Sequence, residues 1–517
     1  MSKLFQPLAT GAIIAAMSGP ALADVTPSDV FAQWTQYADA FGYQSLSEPE
    51  MQGDNLFWPE FSMSMEIPAD PDADMTGGIL TLTMENVAMT DRGDGTVAIA
   101  VPESSTMTVV GDGFNGEDFT LTATLTAEGY DMVASGTPDD ITYDFDSVRI
   151  GITLDEFDGK NGTFPTPGEM SVILEGMEGQ SRVTSAGLIQ AMQDVSIVKV
   201  AYNIDVTSPK PDEPGFFKWI GESRGITSTA SGTFPPDMDM TDMVAAIEAG
   251  YAVDGQMTYT GGNSVMDFSD DETSFKLSTI SEGGTFDIAM SAAGMTYDFL
   301  VNQLNFTAEG SDIPFPIRSG MAAFGLGISV PLIASDTDQT FGASLTLTEV
   351  ELPPEVWMMA DPSNALPHDP VTAELDVSGV GKLFVDLMDE EEMTTLGMTG
   401  GVPGEVSKLV IEKLLISAAG ATIAADADLD VDNSAQSIFD PDMPAFGGTA
   451  NLRLTGVTGL IDKLSQMGLI PPGPAMMASG MAKQLGKVET GPDDLSADIV
   501  LTKEGSLTVN GNPIPLQ

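Results

Sequence analysis

The chain has 517 residues, no cysteine, one histidine, and 77 acidic against 19 basic residues, for a formal net charge of −58. The missing cysteines exclude a disulfide framework, and a single histidine leaves zinc, haem and iron–sulfur sites almost without ligands. So negative a surface repels nucleic acid and anionic head groups, and the acids are spread along the whole chain rather than massed in a tail, so they serve mainly as a solvated surface.

The first 23 residues have the form of a cleavable export signal: Lys3 as the n-region charge, an apolar stretch over residues 4–17, and Ala21-Leu22-Ala23 as a small-x-small cleavage site. Cleavage after Ala23 makes Asp24 the mature N-terminus and leaves 18 basic residues against the 77 acids. The stretch is too short to span a bilayer, and no cysteine stands near the cleavage site to carry a lipid anchor. The expected location is the periplasm.

A helix is predicted next, capped by Ser28, with Val30, Phe31, Trp34, Tyr37, Ala38 and Phe41 on one face and Gly42 as its stop. β signals then dominate. Phe61, Met63, Met65 and Ile67 alternate with polar residues, and Leu80, Leu82 and Met84 alternate with threonines. Asp94-Gly95, Asp112-Gly113, Asn115-Gly116, Asp158-Gly159, Asn161-Gly162, Asp254-Gly255 and Asn510-Gly511 are predicted turns. Residues 425–432 place Asp426, Asp428, Asp430 and Asp432 on one face of a strand and Ala427, Leu429 and Val431 on the other. Helical islands are predicted at 188–195, 242–249 and 383–393, then at 457–467 with Val457, Leu460, Ile461, Leu464 and Met467. After Pro471-Pro472 comes a methionine-rich partner with Met476, Met477, Met481 and Leu485. Thr142-Tyr143-Asp144-Phe145 recurs as residues 296–299, a faint sign of two related halves, and the Pro-rich stretch 209–214 is the expected linker. The expected organisation is therefore a leader (1–23), an N-terminal β-rich half (24–208) and a C-terminal β-rich half with helical islands (209–517), or one continuous elongated domain.

Chemistry-bearing motifs are few. Gly221-Glu222-Ser223-Arg224-Gly225 matches a nucleophile elbow, and His368 follows in the right chain order. An elbow needs a helix after the serine, however, whereas residues 226–234 have strand character, and His368 sits in a Pro-His-Asp-Pro turn. Asp70, Asp72 and Asp74 open like an EF-hand loop, but Met75 and Thr81 occupy the positions that require Gly and Glu. Asp237, Asp239 and Asp242 form another acidic cluster, and Arg92-Gly93-Asp94 is simplest as part of a turn. No phosphate-cradling loop or dinucleotide fingerprint is present. No catalytic or cofactor-binding residue is assigned, no cofactor is expected, and a metal site is left open. The 31 methionines suit either irregular cores or an adaptable apolar surface.

Taken together, the 1–23 leader, residues 30–41 with Trp34, residues 142–145, the Pro-rich passage near Pro209, the strand-then-helix pattern over 452–468 and the final Gly505-Ser506-Leu507-Thr508-Val509-Asn510-Gly511 run resemble an alphaproteobacterial envelope family designated domain of unknown function 2125. That family is in turn distantly similar to AsmA-like envelope proteins, whose long curved sheets are thought to shield lipid chains. The resemblance implies a non-enzymatic exported protein. Its expected fold is mainly β, of long twisted antiparallel sheets with a few amphipathic helices, a groove and an open barrel being the two ways such sheets curl. Its expected partners are lipid or envelope proteins, with no nucleic acid, and without an integral membrane segment once the leader is removed. Calcium binding or scaffolding is the alternative role, and a serine hydrolase the most remote. An outer-membrane barrel would show aromatic girdles, and none is present.

Overall fold

The computed structural model describes residues 25–40, 42–67, 77–114, 117–159, 166–208, 214–236, 238, 242–437 and 443–515. The leader with its cleavage site, the Asp70–Asp74 motif, Asn115-Gly116, Asn161-Gly162, residues 209–213, Asp237 and Asp239 lie outside them.

The chain forms two compact units. Unit 1 is Met1–Ser291 with Thr307–Pro316, and unit 2 is Ala292–Phe306 with Ile317–Gln517. In unit 1, helix α1 (Pro27–Ala40) precedes β1 (Tyr43–Leu46), β2 (Glu50–Gln52), β3 (Asn55–Ile67), β4 (Gly78–Asp91), β5 (Val97–Ala100), β6 (Ser104–Phe114), β7 (Glu117–Glu128) and β8 (Asp131–Thr137). The long strands β9 (Asp140–Gly159), β10 (Thr166–Thr184), β11 (Ile189–Thr207) and β12 (Phe216–Phe234) follow, then α2 (Met243–Glu248), β13 (Ala252–Tyr259), β14 (Gly261–Ser269), β15 (Ser274–Ser281) and β16 (Gly284–Ser291). Strand β17 (Gly294–Gly310) has residues in both units. Unit 2 continues with β18 (Ile317–Val330), β19 (Gln339–Val350), α3 (Pro354–Ala360), β20 (Val371–Leu383), α4 (Glu390–Thr399), β21 (Gly404–Ala418), β22 (Ala421–Gln436), β23 (Pro444–Thr455), α5 (Val457–Gln466) and α6 (Pro472–Leu485). It ends with β24 (Lys487–Val488), β25 (Asp494–Leu501), β26 (Leu507–Val509) and β27 (Asn512–Ile514). The fold is mainly β and antiparallel, as the alternation predicts.

Local chemistry explains most element ends. Thr26, not Ser28, starts α1: its backbone N–H donates to the Asp29 carboxylate at 2.9 Å while the Asp29 N–H donates back to the Thr26 hydroxyl at 3.3 Å, a reciprocal cap. Asn510 (φ 51°) and Gly511 (φ 76°) make the tight turn between β26 and β27. Asp254-Gly255 is no turn but lies mid-strand in β13, paired with Ser231 and Ala230. The helix expected at 188–195 is the start of β11. Ile189, Ala191, Val195 and Ile197 alternate there, and Gln193 on the same side breaks the apolar pattern, so that Leu188, Ile189, Met192 and Val195 mimic a helical stripe. The helix expected at 383–393 begins only at Glu390, where Asp389 caps it by accepting from the Glu392 N–H at 2.9 Å. Strands β11 and β12 pair along their whole length and belong to one unit.

The long strands of unit 1 share one device. In β3 the inward apolar set changes from even residues (Leu56, Trp58) to odd (Met63, Met65), in β4 from Leu82 and Met84 to Val87 and Met89, in β9 from Ile141 and Tyr143 to Ile150 and Ile152, and in β10 from Val172 and Leu174 to Met177 and Val183. In β11 and β12 the change falls between Ile197 and Val200 and between Trp219 and Ile226. Pairing continues in register through every change. From β9 to β12 the changes line up in one transverse row that holds Val148, Gly176 (φ 61°), Val198 and Gly225 (φ 57°), with Gly129 (φ 61°) at its β7–β8 end, while β4 makes its own change at Asn86 (φ 60°). A left-handed residue resets the in–out alternation, and glycine takes that conformation without a Cβ penalty. A Cβ on Gly176 would meet Val198 Cγ2 at 2.7 Å, and one on Gly129 would meet Val148 Cγ2 at 2.8 Å. The row is a seam that divides each long strand into two differently built halves.

Candidate functional site

On one side of the seam the apolar face is sealed. Val97, Ala134 and Tyr143 stand side by side on β5, β8 and β9, each fully buried, with Trp58 and Met89 at 0% exposure as well. Helix α1 lies over this half: Phe31 packs on Trp58 with centroids 5.2 Å apart, and Trp34 meets Phe61 edge-on at 6.3 Å. Gln33, buried, accepts from the Tyr143 hydroxyl at 2.8 Å and donates to the Val183 carbonyl at 3.0 Å, so this amide beneath the helix is satisfied at both ends.

On the other side, cross-strand pairing gathers apolar residues into continuous rows, because directly paired residues share a face. One row runs Met63–Leu82–Val109–Leu121–Phe157 over β3, β4, β6, β7 and β9. A second runs Leu125–Ile152–Val172–Tyr202, and a third Met170–Ile204–Trp219–Met266–Leu277 across β10, β11, β12, β14 and β15. No charged residue stands in these rows. Their large side chains are half-buried, and Val172 (40%) and Trp219 (39%) are exposed outright. Tyr202 and Trp219 pack at 4.8 Å, and the Trp219 indole N–H is satisfied by the Ser264 hydroxyl at 2.7 Å. The Tyr202 hydroxyl lies over Gly221, which has no side chain to occupy that space. The opposite face of the same strands holds the charges: Lys199 pairs with Glu175 at 3.0 Å, and Asp205, Lys218, Asp267 and Lys276 form a ladder with contacts of 2.7 Å between Lys218 and Asp205 and 3.5 Å between Lys276 and Asp267. The sheet is thus two-faced, and the apolar face beyond the seam is the candidate site.

The motif residues fall as follows. Ser223 is mid-strand in β12, on the open apolar face between Val200 and Gly262, with no helix after it. Its neighbours Glu222 and Arg224 form an ion pair on the other face. His368 belongs to unit 2, stacked on Trp357 at 4.1 Å and 9°, with Nε2 3.4 Å from the solvent-inaccessible Asp361 carboxylate. Burial pushes the Asp361 carboxyl up, but the Ala365 and Leu366 N–H groups, Ser363 and His368 outweigh it and hold it down at about 2. That arrangement ties the loop after α3. Asp242 caps α2 through the Ala245 N–H at 2.9 Å. Asp91 and Asp94 accept from Gly93 and Thr96, which makes residues 91–96 a turn. Among the described residues no group of three or more acids or histidines is placed to hold a metal, and no helix is long and apolar enough to cross a membrane.

Unit 2 has a smaller apolar recess of about 160 Å3 between α6 and the sheet, lined by Leu452, Leu454, Met481, Leu485, Leu495 and Ile499. The apolar rows of unit 1 were visible in the sequence only strand by strand; pairing is what joins them. No family model, curated protein or solved structure matches the chain.

Proposed function

We propose that this is an exported, non-enzymatic envelope protein whose unit 1 binds a lipid acyl chain or a similar elongated apolar molecule along the open sheet face. The observation that carries the reading is the set of continuous, charge-free, half-exposed rows, in contrast with the sealed half of the same strands. A solvated apolar face of that extent is costly unless something covers it. From β7 to β15 the face crosses six inter-strand steps of about 4.8 Å, roughly 29 Å, which exceeds the ~15 Å depth of one leaflet of hydrocarbon core. The rows are therefore long enough to hold an extended acyl chain. The export signal and the resemblance to lipid-shielding envelope proteins support the same reading, and the Tyr202–Trp219 pair supplies a flat aromatic station with one polar edge.

Native mass spectrometry and organic extraction of the protein purified without detergent test this. Stoichiometric lipid, or saturable quenching of tryptophan fluorescence by a doxyl-labelled fatty acid that Val172→Asp abolishes, is expected. An empty protein that binds no apolar probe overturns it.

A further inference from the structure

Helix α6 is apolar on both sides. Ala475 (3%) and Ser479 (6%) face the protein, while Met476 (71%) and Met477 (66%) share the solvent side with Gly473 and Gly480, and Met481 (55%) stands at its edge, also lining the recess. A surface helix normally turns charges outward, and one that does not is covered by something. Leu469 in the α5–α6 connection is 60% exposed. Register places a second group at the same end of the strands: Val350 pairs with Val371, Thr372 with Ser417, Ser417 with Thr422, Thr422 with Thr455, and Thr455 with Asp494. Helix α3 connects the first of these pairs and the α5–α6 hairpin the last, and Met358 (66%) and Met359 (67%) of α3 are exposed too.

Charge selects the occupant. In a chain with 77 acids, the α5–α6 hairpin holds one, the exposed Asp462, and the stretch from there to Glu489 carries Lys463, Lys483 and Lys487 with no acid between. Lys487 is tied to Glu489 at 2.7 Å, whereas Lys463 and Lys483 are exposed and flank the methionine face. We propose that this end of unit 2 docks on a phospholipid bilayer, with the methionines and Leu469 entering the interface and the two lysines meeting head-group phosphates. Flexible thioether side chains suit a disordered acyl boundary. The chain's overall negative charge opposes approach only within the screening length, about 8 Å at physiological salt, so the contact is governed by the charges of the hairpin itself. This surface is separate from the open face of unit 1, and either proposal can fail without the other.

The test is co-sedimentation of the mature protein with vesicles of phosphatidylcholine containing about 30% phosphatidylglycerol at about 0.15 M salt. Binding is expected, weakened about tenfold by Met476→Ser/Met477→Ser/Met481→Ser and about tenfold by Lys463→Glu/Lys483→Glu. All substituted side chains are exposed, and an unaltered melting temperature confirms that each variant folds. Absence of binding, or binding that both hairpin variants leave intact, overturns the proposal. So does a concentration-dependent dimer that the methionine variant disperses in the absence of vesicle binding, which would assign the face to a second copy.

Discussion

The sealed and open halves of unit 1 are built from the same strands, yet they solve opposite problems. In β9, Ile141 and Tyr143 are at 0% exposure beneath α1, while Ile150 and Ile152, a few residues along, are half-buried with no helix over them. Composition does not distinguish them, since both sides of the seam are apolar. What differs is the cover: α1 supplies Val30, Phe31 and Gln33 to one side, and only Trp34 reaches past the phase change of β3, to Phe61. The sealed half buries its apolar side chains fully, and the open half leaves them half-exposed. A row with left-handed residues at Gly129, Gly176 and Gly225 allows one strand to take part in both while its register is kept.

The strongest way to break that contrast is Trp58→Ala. Trp58 is fully buried, packed against Phe31 and Phe61, with its indole N–H on the Ser47 carbonyl at 2.7 Å. A loss of about 4 kcal/mol is expected by chemical denaturation. A loss under about 1 kcal/mol would mean that this half is not the stability core. Gly176→Val attacks the seam: a β-branched residue at φ 61°, facing Val198 at 2.7 Å, should cost about 2 kcal/mol or more. Val198→Ala, which removes the facing side chain, should return part of it. If the seam were incidental, the glycine variant would be close to neutral.

The alternation, the helices α2, α5 and α6 and the turn at Asn510-Gly511 were legible because each rests on local chemistry. The seam was not, because its signature is a change of phase across one residue: Val172 and Leu174 before Gly176, Met177 and Val183 after it. Read as one strand, β10 looks irregular, and only the matching change in its partners gives it meaning. The open face was hidden for the same reason. Ser223 in a strand and His368 in a loop were legible, because the β-branched residues 226–234 and the Pro-His-Asp-Pro sequence are local signals. The covering role of α1 was legible as amphipathicity, but not its target, since the Gln33–Tyr143 bond spans 110 residues.

Titration gives a gentler test of the same contrast. Burial pushes the Tyr143 phenol upward, and burial with the nearby Tyr43 and Tyr251 phenols pushes Tyr37 to about 12. Both groups have folded pKa values raised above the unfolded one, so their contribution to stability is complete below about pH 10 and is lost as pH rises through the folded values. Alkaline unfolding should therefore begin above about pH 10, and near-ultraviolet absorbance should show these phenols ionising together with it. Tyr143→Phe should shift the alkaline limb upward. If they ionised before the fold opened, the cover formed by α1 would be leaky.

The smallest expected effect on stability is the one that best separates the halves. Trp219 is as large as Trp58, but at 39% exposure it gains less from folding, and Trp219→Ala should cost only about 1 kcal/mol. It also removes the partner of Tyr202 and leaves the Ser264 hydroxyl to water, so its main consequence should fall on the ligand. Lipid recovery or fatty-acid binding should drop severalfold while the melting curve barely moves, the reverse of Trp58→Ala. A variant of Trp219 as destabilising as that of Trp58 would show that the open face is a core after all, closed by packing that its half-exposed rows do not reveal, and the division of each strand into a structural and a binding half would fall with it.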